Sequence, residues 1–272
     1  MNTIEVLNSF FVLPAIKAGI AQKVWEHKEG SLLNIWEKLG LINSEGLTKL
    51  GSELSDLSPL VDYFSSLWGD YSTVEFGKIK KIDDRQYSML REGLSVFHSQ
   101  NNISLFSTLS LVNKKWHVLD YCGGDGQYLR SFLSSNLESS GMLVDRKAAS
   151  GLDSIAVDYE ATPDWYLSHK EKFDLIILSE ILHCKGKAGQ VYLIDSARYM
   201  LKPGGLLLVN EVIPCPFFDW RMSIYTRGGA SISIEEVKNM TLEKWEIMKE
   251  LPEGCNPSTK YHYQMLLKKT EG

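Results

Sequence analysis

The sequence lacks the features that would assign it to several specialised classes of protein. Its four cysteines are widely separated and form no C-x-x-C pair, so neither a disulfide framework nor a zinc site is predicted. The most apolar early stretch, Phe10–Ala21, is too short for a bilayer, which requires about 20 residues. Residues 1–9 have no basic signal-peptide start, and no internal repeat occurs. These absences predict a cytoplasmic globular protein with no membrane contact and no metal.

The sequence also has no excess of basic charge. Lysine and arginine number 29 against 34 aspartate and glutamate residues, which gives a net charge of −5. A chain of that charge would repel a phosphate backbone, so no nucleic-acid partner is predicted. Its 272 residues, 44% of them apolar, are enough for one or two domains with a sizeable core. This is the size and composition of an ordinary enzyme.

The spacing of apolar residues changes near residue 113, which predicts two domains, 1–112 and 113–272. The first has mainly helical spacing, with a short turn-containing wing around residues 41–47. In the second, apolar runs alternate with amphipathic segments, as in βαβ units around a parallel sheet. Five strands are predicted first, at His117–Tyr121, Met142–Asp145, Ile155–Val157, Phe173–Leu178 and Leu206–Val212. A helix with a capping box at residues 233–236 and two last strands, Trp245–Leu251 and Tyr261–Leu267, complete a seven-stranded α/β domain.

The loop after the first of these strands carries the sharpest chemical signal. Residues 118–126 read VLDYCGGDG, a strand that runs into glycines, at the position where open α/β sheets bind ligands. The second strand ends in Asp145, 19 residues after Gly126, where a carboxylate can accept hydrogen bonds from both hydroxyls of a ribose. No lysine follows the glycines to bind a triphosphate, and Asp125 would repel a diphosphate. A nucleoside without phosphates is therefore predicted.

In their order and spacing, these segments resemble the successive motifs of class I S-adenosylmethionine-dependent methyltransferases. The resemblance covers about residues 116–212, including Phe173–Leu178 and Leu201–Val209. It implies a doubly wound, Rossmann-like sheet of seven strands, with S-adenosylmethionine as cofactor and S-adenosylhomocysteine as product. The cofactor contacts that it implies are Asp120, Gly123, Gly124, Gly126, Asp145, Arg146, Asp158, Tyr159 and Ser179. The family usually has glycine where Cys122 stands, so backbone strain or an altered cofactor contact is expected there.

The segment after the fourth strand resembles the small-molecule O-methyltransferases of the caffeate and hydroxyindole type. His183 matches the histidine that deprotonates the acceptor hydroxyl in that family, and Glu211 matches the glutamate that orients it. A histidine base suits neutral pH, and a carboxylate on its other nitrogen fixes the tautomer. The family continues with Asp-Trp, whereas Cys184 and Lys185 follow here. A structural role for His183 in the start of the next helix therefore stays open.

An aromatic segment and the front half complete the resemblance. The side chains that correspond to the family's acceptor pocket are Phe218, Trp220, Met222 and Tyr225, which predicts a small, aromatic or mostly apolar acceptor of secondary metabolism. Residues 38–51 resemble a shortened form of the family's winged-helix dimerisation domain, which implies a homodimer. Since residues 1–54 contain five lysines and six glutamates, dimerisation is favoured there over DNA binding.

The sequence thus predicts O-methylation of a small metabolite with His183 as general base. Methylation of nitrogen or carbon on the same fold is the alternative closest to this prediction. A protein that binds S-adenosylmethionine without methylating, either a rearrangement or cyclisation enzyme or a winged-helix sensor, would carry the same cofactor motifs. The sequence does not identify the acceptor.

Overall fold

The computed structural model describes residues 102–147, 149, 151–157, 164–214, 229–251 and 262–270, with short pieces between residues 20 and 58 and between 85 and 89. The chain forms two compact units, Met1–Phe76 with Lys81–Phe97, and Gly77–Lys80 with His98–Gly272. A helix at Asn102–Thr108 (α2) belongs to the second unit, since its Leu105 and Phe106 lie in the core there. The domain boundary near residue 113 stays a prediction.

The described part of the first unit contains a small hairpin followed by a helix. Strands β1 (Ile42–Asn43) and β2 (Gly46–Leu47) pair antiparallel, and helix α1 (Lys49–Asp56) follows. The hydroxyl of Thr48 accepts a hydrogen bond from the Gly51 amide at 3.2 Å and so caps α1. The predicted turn around residues 41–47 is confirmed, while the winged-helix assignment stays a prediction. Homodimerisation through this half is also a prediction, which analytical ultracentrifugation at micromolar concentration would check.

The second unit contains a seven-stranded sheet in the order β5-β4-β3-β6-β7-β9-β8. The strands, all in this unit, are β3 (His117–Tyr121), β4 (Ser140–Asp145), β5 (Ser154–Ala156), β6 (Phe173–Ser179), β7 (Leu201–Val212), β8 (Trp245–Leu251) and β9 (His262–Lys269). Strands β3 to β7 pair in parallel, and β9 lies antiparallel between β7 and β8. The predicted α/β sheet of seven strands is confirmed.

Helices cover both faces of this sheet. Helices α2 and α3 (Gln127–Ser134) pack on one face, and helix α4 (Lys187–Met200) packs on the other. Because neighbouring residues of a strand point to opposite faces, the fully buried central strands are apolar almost without interruption. Helix α5 (Ile234–Thr241) begins with the predicted capping box. Among the described residues, no helix combines the length and the apolar character that crossing a membrane requires.

The start of β7 differs from the sequence prediction. The sequence predicts a strand that begins at Leu206. The structure instead begins β7 at Leu201, directly after α4, with Leu201 opposite Phe173. Residues 202–205 form an irregularity within the strand, because the next regular pair joins Leu206 to Leu175. The glycines permit this, since Gly204 has a positive φ of 69°.

Candidate active site

Parallel strands end at the same edge of a sheet, and the predicted site residues that the structure describes lie at that edge. The loop after β3 passes through three left-handed residues, Cys122, Gly124 and Gly126, with φ angles of 63°, 62° and 81°. The amide of Gly126 donates to the carbonyl of Gly123 at 2.9 Å, and α3 starts at the next residue. This backbone turns within a few residues from a buried strand into a helix.

The carboxylate of Asp120 lies between this loop and helix α3. Its side chain is fully buried, and its Oδ2 accepts a hydrogen bond from the amide of Leu129 in α3 at 3.2 Å. A Cβ added at Gly123 would lie 2.2 Å from the carboxyl group of Asp120. The loop therefore requires glycine at residue 123 for the close approach of backbone to carboxylate, rather than for an unusual φ angle.

Replacing Gly123 by alanine is expected to destabilise the protein by about 1–3 kcal/mol, because a buried carboxylate fixed to α3 cannot move away from the added methyl group. Chemical denaturation measures this loss. The control is Gly189→Ala in α4, where the added Cβ lies 3.1 Å from the Cβ of Lys185 and meets no buried carboxylate. The helix preference for alanine offsets this tighter contact, so the stability of this variant is expected to change by less than about 1 kcal/mol. Equal stability of the wild type and Gly123→Ala would contradict the prediction.

Asp145 ties the second strand to the same loop. It ends β4, is 7% exposed, and its Oδ2 accepts a hydrogen bond from the Gly124 amide at 3.0 Å. Beside Gly124 the space is open, since no atom of the described residues lies within 4 Å of a Cβ built there. The adjacent Arg146 is exposed. A carboxylate and an open stretch of backbone thus lie together at the point where the resemblance implies a nucleoside.

Cys122 shows the backbone strain that the departure from glycine suggested. It is buried and left-handed, and its amide donates to the carbonyl of Val144 at 2.7 Å. A left-handed conformation costs a residue that has a Cβ roughly 1–2 kcal/mol. The hydrogen bond to β4 holds the residue there in spite of this cost.

A pair of substitutions isolates this strain at Cys122. Cys122→Gly is expected to be about 1 kcal/mol more stable than Cys122→Ala, because both lose the thiol but only alanine keeps a Cβ. The same two substitutions at Cys184, which lies in a 3₁₀ turn, are expected to show the usual order with alanine the more stable. Urea denaturation of the four variants measures both differences, and the same order at the two positions would contradict the strain.

His183 and Glu211 form a buried pair at this edge. His183 lies in the 3₁₀ turn Leu182–Cys184 that follows β6, and Glu211 lies near the end of β7. One carboxylate oxygen of Glu211, Oε1, accepts hydrogen bonds from the amides of Ile181 and Leu182 at 2.8 and 2.6 Å. The other, Oε2, lies 2.7 Å from Nδ1 of His183. Glu211 therefore fixes both the turn and the imidazole that the turn carries.

The surroundings of His183 change its acidity. Burial by itself would lower the pKa of His183, but interactions with the Cys184 sulfur and the Glu211 carboxylate outweigh burial. The pKa of His183 therefore lies well above its ordinary value of about 6.5. Glu211 is fully buried and His183 is 6% exposed, so this interaction is only weakly screened by solvent. The pair favours the protonated imidazole.

A second polar group lies on the opposite face of the sheet and was missed from the sequence. Asn210 donates through Nδ2 to the hydroxyl oxygens of Ser179 and Tyr128, both at 2.9 Å, and accepts at Oδ1 from Gln264 at 2.9 Å. Ser179, predicted as a cofactor contact, thus belongs to a hydrogen-bonded network across β6, β7 and β9. The signal in the sequence was Asn210 itself, a polar residue at the end of a run of apolar ones.

The structure also brings Glu180 and His262 together, which sequence reasoning did not foresee. Nε2 of His262 lies 3.0 Å from Oε1 of Glu180. Glu180 follows β6 directly, and His262 begins β9. The two are far apart in sequence, so only the order of the strands reveals their proximity.

The predicted site residues fall into two groups. Nine lie at this edge of the sheet, namely Asp120, Gly123, Gly124, Gly126, Asp145, Arg146, Ser179, His183 and Glu211. Six lie outside the described residues, namely Asp158, Tyr159, Phe218, Trp220, Met222 and Tyr225. Within the ranges that the structure describes, no group of three or more His, Cys, Asp or Glu side chains could hold a metal ion.

Comparison with known proteins places this fold among the methyltransferases. No family model matches the chain. The N-methyltransferase FrzE of Cladobotryum sp is 24% identical over 228 residues, 72% of this chain and 71% of that protein. An O-methyltransferase family protein from Burkholderia thailandensis superimposes with a TM-score of 0.76 at 15% identity, over 99% of this chain and 97% of that one. Human N-acetylserotonin methyltransferase in complex with SAM superimposes with a TM-score of 0.69 at 16% identity, over 97% of this chain and 95% of that one. The chain has the class I methyltransferase fold that the sequence predicted.

Proposed function

We propose that the protein transfers the methyl group of S-adenosylmethionine to a hydroxyl of a small, mostly apolar molecule, with His183 as general base and Glu211 as its orienting carboxylate. The observation that carries this proposal is the 2.7 Å contact between Nδ1 of His183 and Oε2 of Glu211. It occurs at the same sheet edge as the glycine loop and Asp145. Solved proteins with this fold that hold SAM or SAH support the choice of cofactor.

The residues at the sheet edge fit this cofactor. S-adenosylmethionine supplies, when bound, a methyl group on a positively charged sulfur. Asp145 provides a carboxylate that can accept from ribose hydroxyls, and the open backbone beside Gly124 permits close approach. The cofactor carries no phosphate, so Asp125 in the loop does not oppose it.

The residues of this chain contribute proton transfer to the reaction. Glu211 engages Nδ1, which leaves Nε2 as the ring nitrogen that takes the proton of the acceptor hydroxyl. The imidazolium that results is stabilised by the carboxylate of Glu211. The two backbone amides that donate to Oε1 hold the carboxylate still, so the ring keeps one orientation. General-base catalysis of this kind contributes about 10²- to 10⁴-fold to the rate.

Methylation of nitrogen is the second candidate, and the similarity to the N-methyltransferase FrzE favours it. A neutral amine already has a lone pair for the displacement and needs no base to create a nucleophile. The two candidates therefore differ in how strongly turnover depends on His183. A deficit of less than about tenfold in His183→Ala with the true acceptor would favour nitrogen, since the loss of a general base costs about 10²-fold or more.

The proposal is tested by product formation. The purified protein is incubated with S-adenosylmethionine and panels of phenols, alcohols and amines of similar size, and S-adenosylhomocysteine is measured by mass spectrometry. Acceptor-dependent formation of S-adenosylhomocysteine is expected, with a methylated oxygen in the product. Calorimetry with S-adenosylhomocysteine tests the cofactor separately, and the absence of binding would overturn the whole proposal.

A further inference from the structure

Glu180 has an unusual backbone conformation at the edge of the site. Its φ angle is 54°, in the left-handed region that residues with a Cβ rarely adopt. Its amide donates to the carbonyl of Asn210 at 2.9 Å, which fixes the backbone where β6 ends. Strained residues of this kind concentrate at functional sites, because the surrounding structure must hold them in place.

The side chain of Glu180 is paired as well as partly accessible. Its Oε1 lies 3.0 Å from Nε2 of His262, and the two side chains are 15% and 6% exposed. His262 stands opposite Val212, the last residue of β7, so the beginning of the antiparallel strand β9 lies at the carboxyl edge of the parallel strands. The two atoms lie at ion-pair distance without the geometry of a hydrogen bond, and His262 thus lies beside the carboxylate of Glu180 at the same edge as the glycine loop.

The pair lies on the other face of the sheet from His183 and Glu211. His262 and Gln264 are two residues apart on β9 and share a face, and Gln264 bonds to Asn210. Asn210 and Glu211 are neighbours on β7 and point to opposite faces. Burial raises the pKa of Tyr128, and the charge of Glu180 adds to that increase, so the carboxylate acts on the hydroxyl that bonds to Asn210. Glu180 therefore lies on the face of the sheet that carries Asn210 and the side chain of Tyr128.

We propose that Glu180, positioned by His262, binds an ammonium group of a ligand in this site. The inference rests on the proposed function and deepens it. A carboxylate has two oxygens with about four acceptor positions, so it can contact His262 and an ammonium group together. Two sources offer that group, the α-amino group in the methionyl part of the cofactor and an amino group of the acceptor. The experiment distinguishes them.

The chain supplies a matched control in Glu171. This glutamate is also left-handed, with a φ of 51°, but it precedes β6, at the opposite end of the strand from Glu180. Its carboxylate lies 3.9 Å from Lys269 and is 46% exposed. The substitutions Glu180→Gln and Glu171→Gln therefore make the same change in the same backbone conformation at the two ends of one strand.

The first arm measures the cofactor by calorimetry. S-adenosylhomocysteine has the α-amino group, and 5′-methylthioadenosine lacks the amino-acid part. If the cofactor is the source, Glu180→Gln is expected to weaken the binding of S-adenosylhomocysteine by about 10- to 100-fold, the range for a hydrogen bond to a charged group. The binding of 5′-methylthioadenosine is expected to weaken by less than about twofold. Glu171→Gln is expected to change neither affinity.

The second arm measures the affinity of the protein for an acceptor-like amine while S-adenosylhomocysteine is bound. Phenethylamine and 2-phenylethanol have similar shapes and differ in the ammonium group. If the acceptor is the source, Glu180→Gln leaves the affinity for S-adenosylhomocysteine unchanged and removes a preference for the amine of about tenfold or more. Glu171→Gln keeps that preference.

Two ratios of affinities decide the inference, that of S-adenosylhomocysteine to 5′-methylthioadenosine and that of phenethylamine to 2-phenylethanol. The inference is overturned if neither ratio differs between the wild type and Glu180→Gln. Thermal unfolding of each variant verifies that it is folded. Should Glu180→Gln not fold, His262→Gln replaces it and is expected to shift the same ratio in the same direction, whereas unchanged ratios overturn the inference. A wild type that binds neither nucleoside contradicts the proposed function as well, whereas binding of both without dependence on Glu180 contradicts this inference alone.

Discussion

His183→Ala is expected to lower kcat by about 10²- to 10⁴-fold, because this variant lacks the imidazole that takes the proton of an acceptor hydroxyl during methyl transfer. The affinity for S-adenosylhomocysteine is expected to stay within about twofold, since the loop and Asp145 do not depend on the imidazole. Steady-state kinetics and calorimetry measure the two quantities separately. His117→Ala is the control, because His117 begins β3 at the opposite edge of the sheet.

The dependence of this activity on pH follows from the raised pKa of His183. A general base must be unprotonated, so kcat/KM is expected to rise with pH and to level off only above the ordinary histidine pKa of about 6.5. The rising limb is expected to disappear in His183→Ala. A variant that keeps half of the wild-type kcat, or an unchanged pH profile, would remove His183 from the reaction.

Much of the fold could be predicted from the sequence because its signals are local. The apolar run His117–Tyr121 and the glycines that follow it define a strand and its turn without reference to the rest of the chain. The start of β7 could not be predicted in this way. A Lys-Pro-Gly-Gly segment usually ends a helix and forms a turn. Only the pairing of Leu201 with Phe173 shows that the strand already begins before this segment.

The site shows the same division between local and distant signals. His183 and Glu211 could be associated from the sequence, because both match residues of the O-methyltransferase family and lie at the carboxyl ends of neighbouring parallel strands. His262 could not be associated with Glu180, because it begins a strand that runs in the opposite direction, and its place depends on the insertion of β9 beside β7. The buried contact of Asn210 with Tyr128 likewise joins a strand to a helix on a different part of the chain.

Replacing Glu211 is expected to produce the second large effect, on stability as well as turnover. The fully buried carboxylate accepts from two backbone amides and contacts His183, so Glu211→Ala leaves three polar groups, two of them buried, without this acceptor. The loss of one partner from a buried pair costs about 3–5 kcal/mol of stability. Glu211→Gln keeps an acceptor oxygen for the amides, so its loss is expected to be smaller, while turnover still falls because the imidazole loses its carboxylate.

Measurement of stability against pH separates the pair from simple packing. Because the pKa of His183 is raised in the folded protein, its stabilisation is fully present below the unfolded pKa of about 6.5 and is lost as pH rises through the folded value. The difference in unfolding free energy between the wild type and Glu211→Gln is therefore expected to be largest below that pH and to shrink in the alkaline range. The exposed Glu246→Gln serves as control and should show no such trend. A constant difference at every pH would mean that Glu211 stabilises the turn through its backbone contacts alone. The carboxylate would then not stabilise the His183 imidazolium, which contradicts its role as the partner of a general base.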